Sequence, residues 1–463
     1  MSQHSKSIIS SLRFITTTLA LITACTLIPS NVHAMQSTSP VYKNNAERWQ
    51  EHSYGMSLIP PANTTQINNT SDGSLVKFKK SDAYLISVKI IHVDKVVELG
   101  DIASTADLKF LYAYPSAVPT KDEIFKINNN IEALQRFLYV PDKEKGDWVF
   151  GQTFIKLDPI TFGMVDFECK ATEFDIYTPI FKEVCNSIRL TSPDELDKQR
   201  IELIKNGQKI RESIDVDALA SKLPYIAAGD TTTKPNEQWF RLVKNEKEIG
   251  YMRMRLYREE QLGQMGIRIE INASAKDGAE TISVKQDYFQ TTDRQFEVWS
   301  TRKTSKNPKQ SIQIQTRNKE KEVLPETTSV AITGTRSGNK LTVSIDKDAD
   351  VRTLEWQIPQ EQYISQVGRI FLFSQLPQRI PHDFAYYGFD STNEKLSLMI
   401  GHITPTDSND GSYWLEFLPG LDASPVYSCY DYDGTLLRQE LPDGLILIPS
   451  TIEQIKIIHE NKK

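Results

Sequence analysis

Between Trp239 and Ile358 apolar and polar residues alternate with period two, and that alternation limits the fold more than anything else in the chain. Met252, Met254 and Leu256 alternate with Arg253, Arg255 and Tyr257. Ile267, Ile269 and Ile271 alternate with Arg268, Glu270 and Asn272. The pattern returns in Ile282 and Val284, Phe296 and Val298, Ile312 and Ile314, Val330 and Ile332, and Leu341, Val343 and Ile345. Successive side chains of a strand point to opposite faces, so this is an antiparallel sheet with one apolar and one wet face. The apolar face has to be covered. The run from Gln360 to Leu376, rich in Ile, Phe and Leu and stopped by Pro377, predicts the covering helix.

At 463 residues the chain exceeds what one core supports, and two domains are expected. The N-terminus reads as a signal peptide over residues 1–34. Lys6 and Arg13 precede the apolar stretch Phe14–Ile28, Pro29 breaks it, and Val32-His33-Ala34 fits the small-residue cleavage rule. A second reading places lipidation at Cys25, because Ile22-Thr23-Ala24-Cys25 resembles a bacterial lipobox. Both readings send the chain out of the cytoplasm, to the periplasm, the medium or a lipid anchor. No run in the mature chain is long enough for a transmembrane helix. Loss of the two leader cations takes the formal charge from −6 to −8. A mildly acidic chain without a basic cluster excludes nucleic acid as the expected partner.

Residues 35–48 are a polar lead-in, and a first α+β domain covers 49–190. Strands are expected around Tyr54–Pro60, Leu75–Phe78 and Tyr84–Val93, and a hairpin at Trp148–Leu157 and Ile160–Cys169. Thr120 with Glu123 forms a capping box ahead of Ile124, Ile127, Ile131, Leu134 and Leu138, which predicts a helix. Ser192-Pro193-Asp194-Glu195 starts another, within a helical linker over 191–235. The antiparallel domain occupies 236–463 and ends in a helix capped near Ser450 and Glu453.

The order of elements over residues 49–190 resembles the PsbP-like αβα sandwich family. The resemblance is carried by Tyr54-Gly55-Met56-Ser57-Leu58-Ile59-Pro60-Pro61, by the strand pair 148–169, and by the helix holding Phe181 that leads into Ser187-Ile188-Arg189-Leu190. It implies an accessory or binding module and no catalytic residues. The second domain, a large curved antiparallel sheet with one helix, is similar in architecture alone to the LolA/LolB-type lipoprotein-carrier half-barrels.

Chemistry-bearing motifs are few. Asp431-Tyr432-Asp433-Gly434-Thr435 resembles the first motif of haloacid-dehalogenase-type phosphatases, but only 28 residues follow it, too few for the rest of that core. An Asp-Gly hairpin turn accounts for the same residues. Asp346, Asp348 and Asp350 alternate like calcium ligands, without the glycine and glutamate such a loop needs. Asp407-Ser408-Asn409-Asp410-Gly411 has its glycine one place early. His52, His92, His382, His402 and His459 show no zinc spacing. No cofactor or metal is implied. Export permits a disulfide between Cys169 and Cys185, and two buried thiols fit equally well. Met252, Met254 and Leu256 line either plain core or a pocket for an acyl chain. The expectation is a non-catalytic envelope protein that binds another envelope protein or a lipid, with a lipid carrier and a hydrolase of convergent residues as alternatives.

Overall fold

The computed structural model describes residues 48–460, other than 52, 68–73, 94, 120–122, 129–130, 143–145, 307–313, 316–320, 323–326, 348–349, 373–381, 392, 407–409, 422 and 443. The signal segment, Cys25, Thr120, Asp348, Asp407–Asn409 and the end of the expected helix beyond Leu372 lie outside those residues. The described residues divide into two compact units, one within residues 48–201 and 421–425, the other within 202–420 and 426–460.

The smaller unit holds an eight-stranded antiparallel sheet with a helix on each face. Alternate side chains of its strands serve two cores. Val165, Phe167 and Cys169 pack with Phe181, Val184 and Cys185 of helix Phe174–Asn186. Phe162 and Met164 pack with Leu99, Ile102 and Ala103 of helix Leu99–Ala113. The two ends of the sequence motif meet in a small sheet, where Arg189 and Leu190 pair with Ser57 and Met56.

The helix expected after Thr120 is a hairpin instead. Strands Glu123–Ile127 and Ile131–Val140 pair through a turn in which Asn128 has φ +49. Ala133 faces one core and Leu134 the other, so a strand buried on both sides shows no alternation and mimics a helical pattern.

In the larger unit fourteen strands form one antiparallel sheet. Its first strand, Asn236–Lys244, pairs with its last, Leu445–Ser450, with Trp239 opposite Ser450 and Lys244 opposite Leu445. From that joint one meander runs out to strand Asp350–Gln357 and another to strand His382–Asp390. These two edges are not paired to each other, so the sheet is open. Strand Leu445–Ser450, with Pro449 inside it, is not among the strands expected from the sequence. The last helix, Ile452–Glu460, starts one place later than expected: Thr451 Oγ1 accepts the Gln454 N–H at 3.2 Å while Gln454 Oε1 accepts the Thr451 N–H at 3.1 Å.

The middle of the expected linker is core. Ile210, Ile214, Val216 and Leu219 belong to the same buried cluster as Met252 and Ile269. Helix Pro193–Ser213 crosses the boundary between the units, and its later part packs by backbone against strand His382–Asp390. A Cβ at Gly207 would lie 1.9 Å from the Ala385 carbonyl oxygen. Gly207→Ala therefore has to push helix and strand apart. Despite alanine's better helix propensity it should cost about 1–3 kcal/mol, read as a lowered urea midpoint of the larger unit; an unchanged midpoint would show the contact to be looser.

Candidate functional site

The covering helix starts later than expected, at Gln366, and all seven of its described residues, Gln366–Leu372, are buried. The chain before it is extended: Tyr387 N–H donates to the Gln362 carbonyl at 2.8 Å and Ile364 N–H to the Tyr387 carbonyl at 3.0 Å. That segment hydrogen-bonds the free edge of strand His382–Asp390 and so cannot be helical there. Its hydrophobic side chains, Tyr363, Ile364, Val367, Ile370, Phe371 and Leu372, join the sheet's core. The helix is thus inside the curled sheet. Met252, Met254 and Leu256 are fully buried in that core, and neither of the two cavities that touch the helix is lined by them.

The inner face is less apolar than the alternation suggested. On strand Phe296–Lys306 the inward residues are Glu297, Trp299, Thr301, Lys303 and Ser305, while Phe296 and Val298 lie half-buried on the other side. Gln286 and Gln290 also turn inward, and on strand Thr327–Ser337 so does Arg336. The expected phase was one residue out, because Phe296 and Val298 are the apolar pair in the sequence and Glu297 is the buried charge.

These groups form a network beside a cavity of about 30 Å³ lined by Arg211, Arg294, Arg336, Gln290, Tyr363 and Ser365. The Tyr363 hydroxyl donates to Glu297 Oε1 at 2.5 Å, and Arg336 Nε stands 3.9 Å from the same oxygen. Ser365 Oγ donates to Gln290 Oε1 at 2.5 Å. The arginines also donate to main-chain carbonyls. Arg211 Nε reaches Tyr363 at 3.1 Å, Arg294 reaches Arg211 at 3.0 Å and Ile214, and Arg336 reaches Gly338 at 3.1 Å and Arg294 at 2.5 Å. Burial holds the Arg211 pKa below its usual value, assisted by Arg294 and Arg336, and pushes that of Glu297 up against the pull of Arg336. Such charge-assisted bonds fix the segments 211–214 and 363–365 in place. Chemically the network is an anchor.

The open seam is latched by side chains. Glu394, in the turn after strand His382–Asp390, takes Lys347 at 2.5 Å and also Arg352 of the opposite edge strand. The rings of Trp356 and Phe389 meet across it at 5.8 Å. Glu394→Gln keeps the shape and removes the charge. It should cost about 1 kcal/mol, less in high salt, and should speed amide exchange in strand Asp350–Gln357 selectively; exchange spread evenly over the sheet would argue against a latch.

Of the histidines, the structure pairs His402 with Asp383 through Nδ1, on the half-exposed outer face. His402 is in register with Asp383 on one side and Glu416 on the other. Carboxylates orient and charge an imidazole; neither is a nucleophile of the serine or cysteine kind. The His402 pKa is raised, first by the Asp383 hydrogen bond, while burial opposes. A raised folded value means stability fully present below the ordinary histidine pKa and lost as pH climbs through the folded one. The stability lead of the native chain over His402→Gln should therefore shrink between pH 6 and pH 9, measured by urea unfolding; a constant difference would contradict it.

The other expected residues are structural. Asp431 Oδ1 accepts the Asp433 and Thr435 N–H groups at 2.9 and 2.7 Å, capping a hairpin turn with Gly434 at φ +77. Asp346 and Asp350 lie on adjacent strands, and among the described residues no group of three or more His, Cys, Asp or Glu could hold a metal ion. Cys169 and Cys185 are unbridged, so the structure has the two buried thiols and not the disulfide. Burial pushes both thiols, and that of Cys429, up to about 12. Cys185 Sγ donates to Thr153 Oγ1 at 3.3 Å. No helix among the described residues is long and apolar enough to cross a membrane.

No family model and no curated protein matches the chain. Solved structures are similar in part. The solution structure of cyanobacterial PsbP (CyanoP) from Synechocystis sp. PCC 6803 is 15% identical, covers 34% of this chain and 98% of its own, and has a TM-score of 0.27. A protein of unknown function from Pseudomonas aeruginosa is 13% identical and covers 32% and 88%, with a TM-score of 0.21. A β-barrel-like protein of a domain of unknown function from Brucella abortus is 8% identical and covers 47% and 96%, with a TM-score of 0.32. The PsbP likeness is therefore one of structure alone.

Proposed function

We propose that this chain is an exported, non-catalytic binding or scaffold protein of the bacterial cell envelope, with a PsbP-type accessory module ahead of a binding sheet. The observation that carries the reading is the inner helix. It fills the sheet with seven buried residues, and buried arginines and a carboxylate tie its approach to the surrounding strands. A sheet filled and tied in this way is a stable shell that works through its surfaces and small internal sites. The three described thiols, buried and held protonated, are unsuited to nucleophilic work. Export rests on the leader-like segment Lys6–Ala34.

The Asp383–His402 pair favours a second reading, a hydrolase with residues converging only in space. Fractionation with N-terminal sequencing tests the first. A chain in the envelope fraction beginning at Met35 is expected, and an intact leader on a cytoplasmic chain would overturn it. Turnover of ester, peptide or phosphate substrates that disappears in His402→Gln would replace it with the second.

A further inference from the structure

The two cavities beside the inner helix differ in charge. The smaller, of about 20 Å³, has Arg369 and Asp390 in its wall, one of each sign. The larger, of about 30 Å³, has Arg211, Arg294 and Arg336 in its wall and no carboxylate. Arg336 has a counter-charge behind it in Glu297, 3.9 Å from its Nε. Arg211 and Arg294 form no ion pair among the described residues. The carboxylates that act on them, Glu212 and Glu361 on Arg211, Asp215 and Asp217 on Arg294, are all exposed and do so from beyond ion-pair distance. Burial first, and then the charges of Arg294 and Arg336, act against the Arg211 cation. Charge taken from water without a partner is costly, so this wall calls for an anion.

Two sets of donors open into the space. Arg211 spends its Nε on the Tyr363 carbonyl at 3.1 Å. Its two Nη groups make no hydrogen bond among the described residues and, unlike Arg336 Nε, are not sealed from solvent. On the inner strand, Ser365 Oγ accepts the Gly368 N–H at 2.8 Å and gives its own hydrogen to Gln290 Oε1 at 2.5 Å, which settles the orientation of that amide. Gln290 Nε2 then reaches no acceptor among the described residues and is likewise not sealed. Since Gln290 is 3% exposed, the cavity is the space left to it. These nitrogens only donate, so no rotation turns them into acceptors. Exposed Gln360 and half-buried Arg294 bring the cavity to the surface.

One water needs about 10–15 Å³ of such volume. The cavity therefore holds two waters or one halide ion, and it is too small for phosphate, sulfate or a carboxylic acid. We infer that it is a chloride site, in which Arg211 Nη and Gln290 Nε2 hold the ion and Arg294 and Arg336 supply the surrounding positive potential. Charge-assisted bonds of this kind are the strong ones. The ion ties helix Pro193–Ser213, through Arg211, to strand Glu280–Thr291, through Gln290. Chloride thus strengthens this interior specifically, whereas salt in general weakens the latch at Glu394 by screening.

For the test, the full mature chain in sodium gluconate is titrated with sodium chloride and with sodium bromide at constant ionic strength, and the urea midpoint of the larger unit is read. Both halides should raise the midpoint saturably. Gln290→Leu should raise the half-saturating chloride concentration about fivefold and Arg211→Gln about tenfold. Because Arg211 Nε also anchors Tyr363, a variant that fails to fold leaves Gln290→Leu and the native chain to decide. Native crystals soaked in bromide should show an anomalous peak between Arg211 and Gln290. No peak there would overturn the proposal and leave a hydration cavity. A peak with a midpoint indifferent to chloride would mean an adventitious ion only, which overturns it equally. A chloride effect kept in full by both variants would place the halide elsewhere and overturn it too. None of these results touches the fractionation experiment, so the chloride site and the export reading fall separately.

Discussion

The larger unit depends on one long-range pairing, that of strand Asn236–Lys244 with strand Leu445–Ser450. Because the first and last strands of the sheet meet in its middle, its two free edges belong to strands that follow one another in the chain. The connection between them has to travel from one edge to the other. It does so through Gln362–Ile364, which hydrogen-bonds one edge, and Gln366–Leu372, which enters the core. The inner helix is therefore a result of connectivity as much as of hydrophobicity. Pairing so distant in sequence carries a large loop-closure cost before any contact offsets it, which places this unit among slow folders.

The strands were legible because most of them have one buried and one wet face, which is what period two reports. Legibility failed wherever both faces were buried or where the buried residue was polar. Ile131–Val140 lies between two cores and so lost its alternation. On strand Phe296–Lys306 the inward residues are Glu297, Trp299 and Lys303, and hydrophobicity alone put the wrong face inside. The polar interior was hidden for the same reason: a buried charge looks in sequence like a surface charge, and only the geometry of Tyr363, Arg336 and Glu297 shows where it sits. The same blindness concealed Arg369 and Asp390, separated in sequence by most of a strand and a connection. His402 and Asp383 were each visible, and their register was not.

Burying so many polar groups costs free energy that a plain apolar filling would have avoided. The arginines offset it by donating to main-chain carbonyls, at Arg211, Ile214, Arg294, Gly338 and Tyr363. The interior thus combines an apolar half around Met252 and Ile269 with a polar half that fixes where the connecting segment runs.

The seam between Asp350–Gln357 and His382–Asp390 differs in kind from every other strand boundary of the sheet. Elsewhere neighbours share a ladder of main-chain bonds, whereas here a carboxylate, two cations and two rings hold the margins together. The shell consequently has a preferred line of mechanical compliance. Strain across the strands meets main-chain bonds at the thirteen ladders and only side-chain contacts at this joint, which is therefore the first to widen. A container with such a joint can breathe in girth while its strand registry stays fixed.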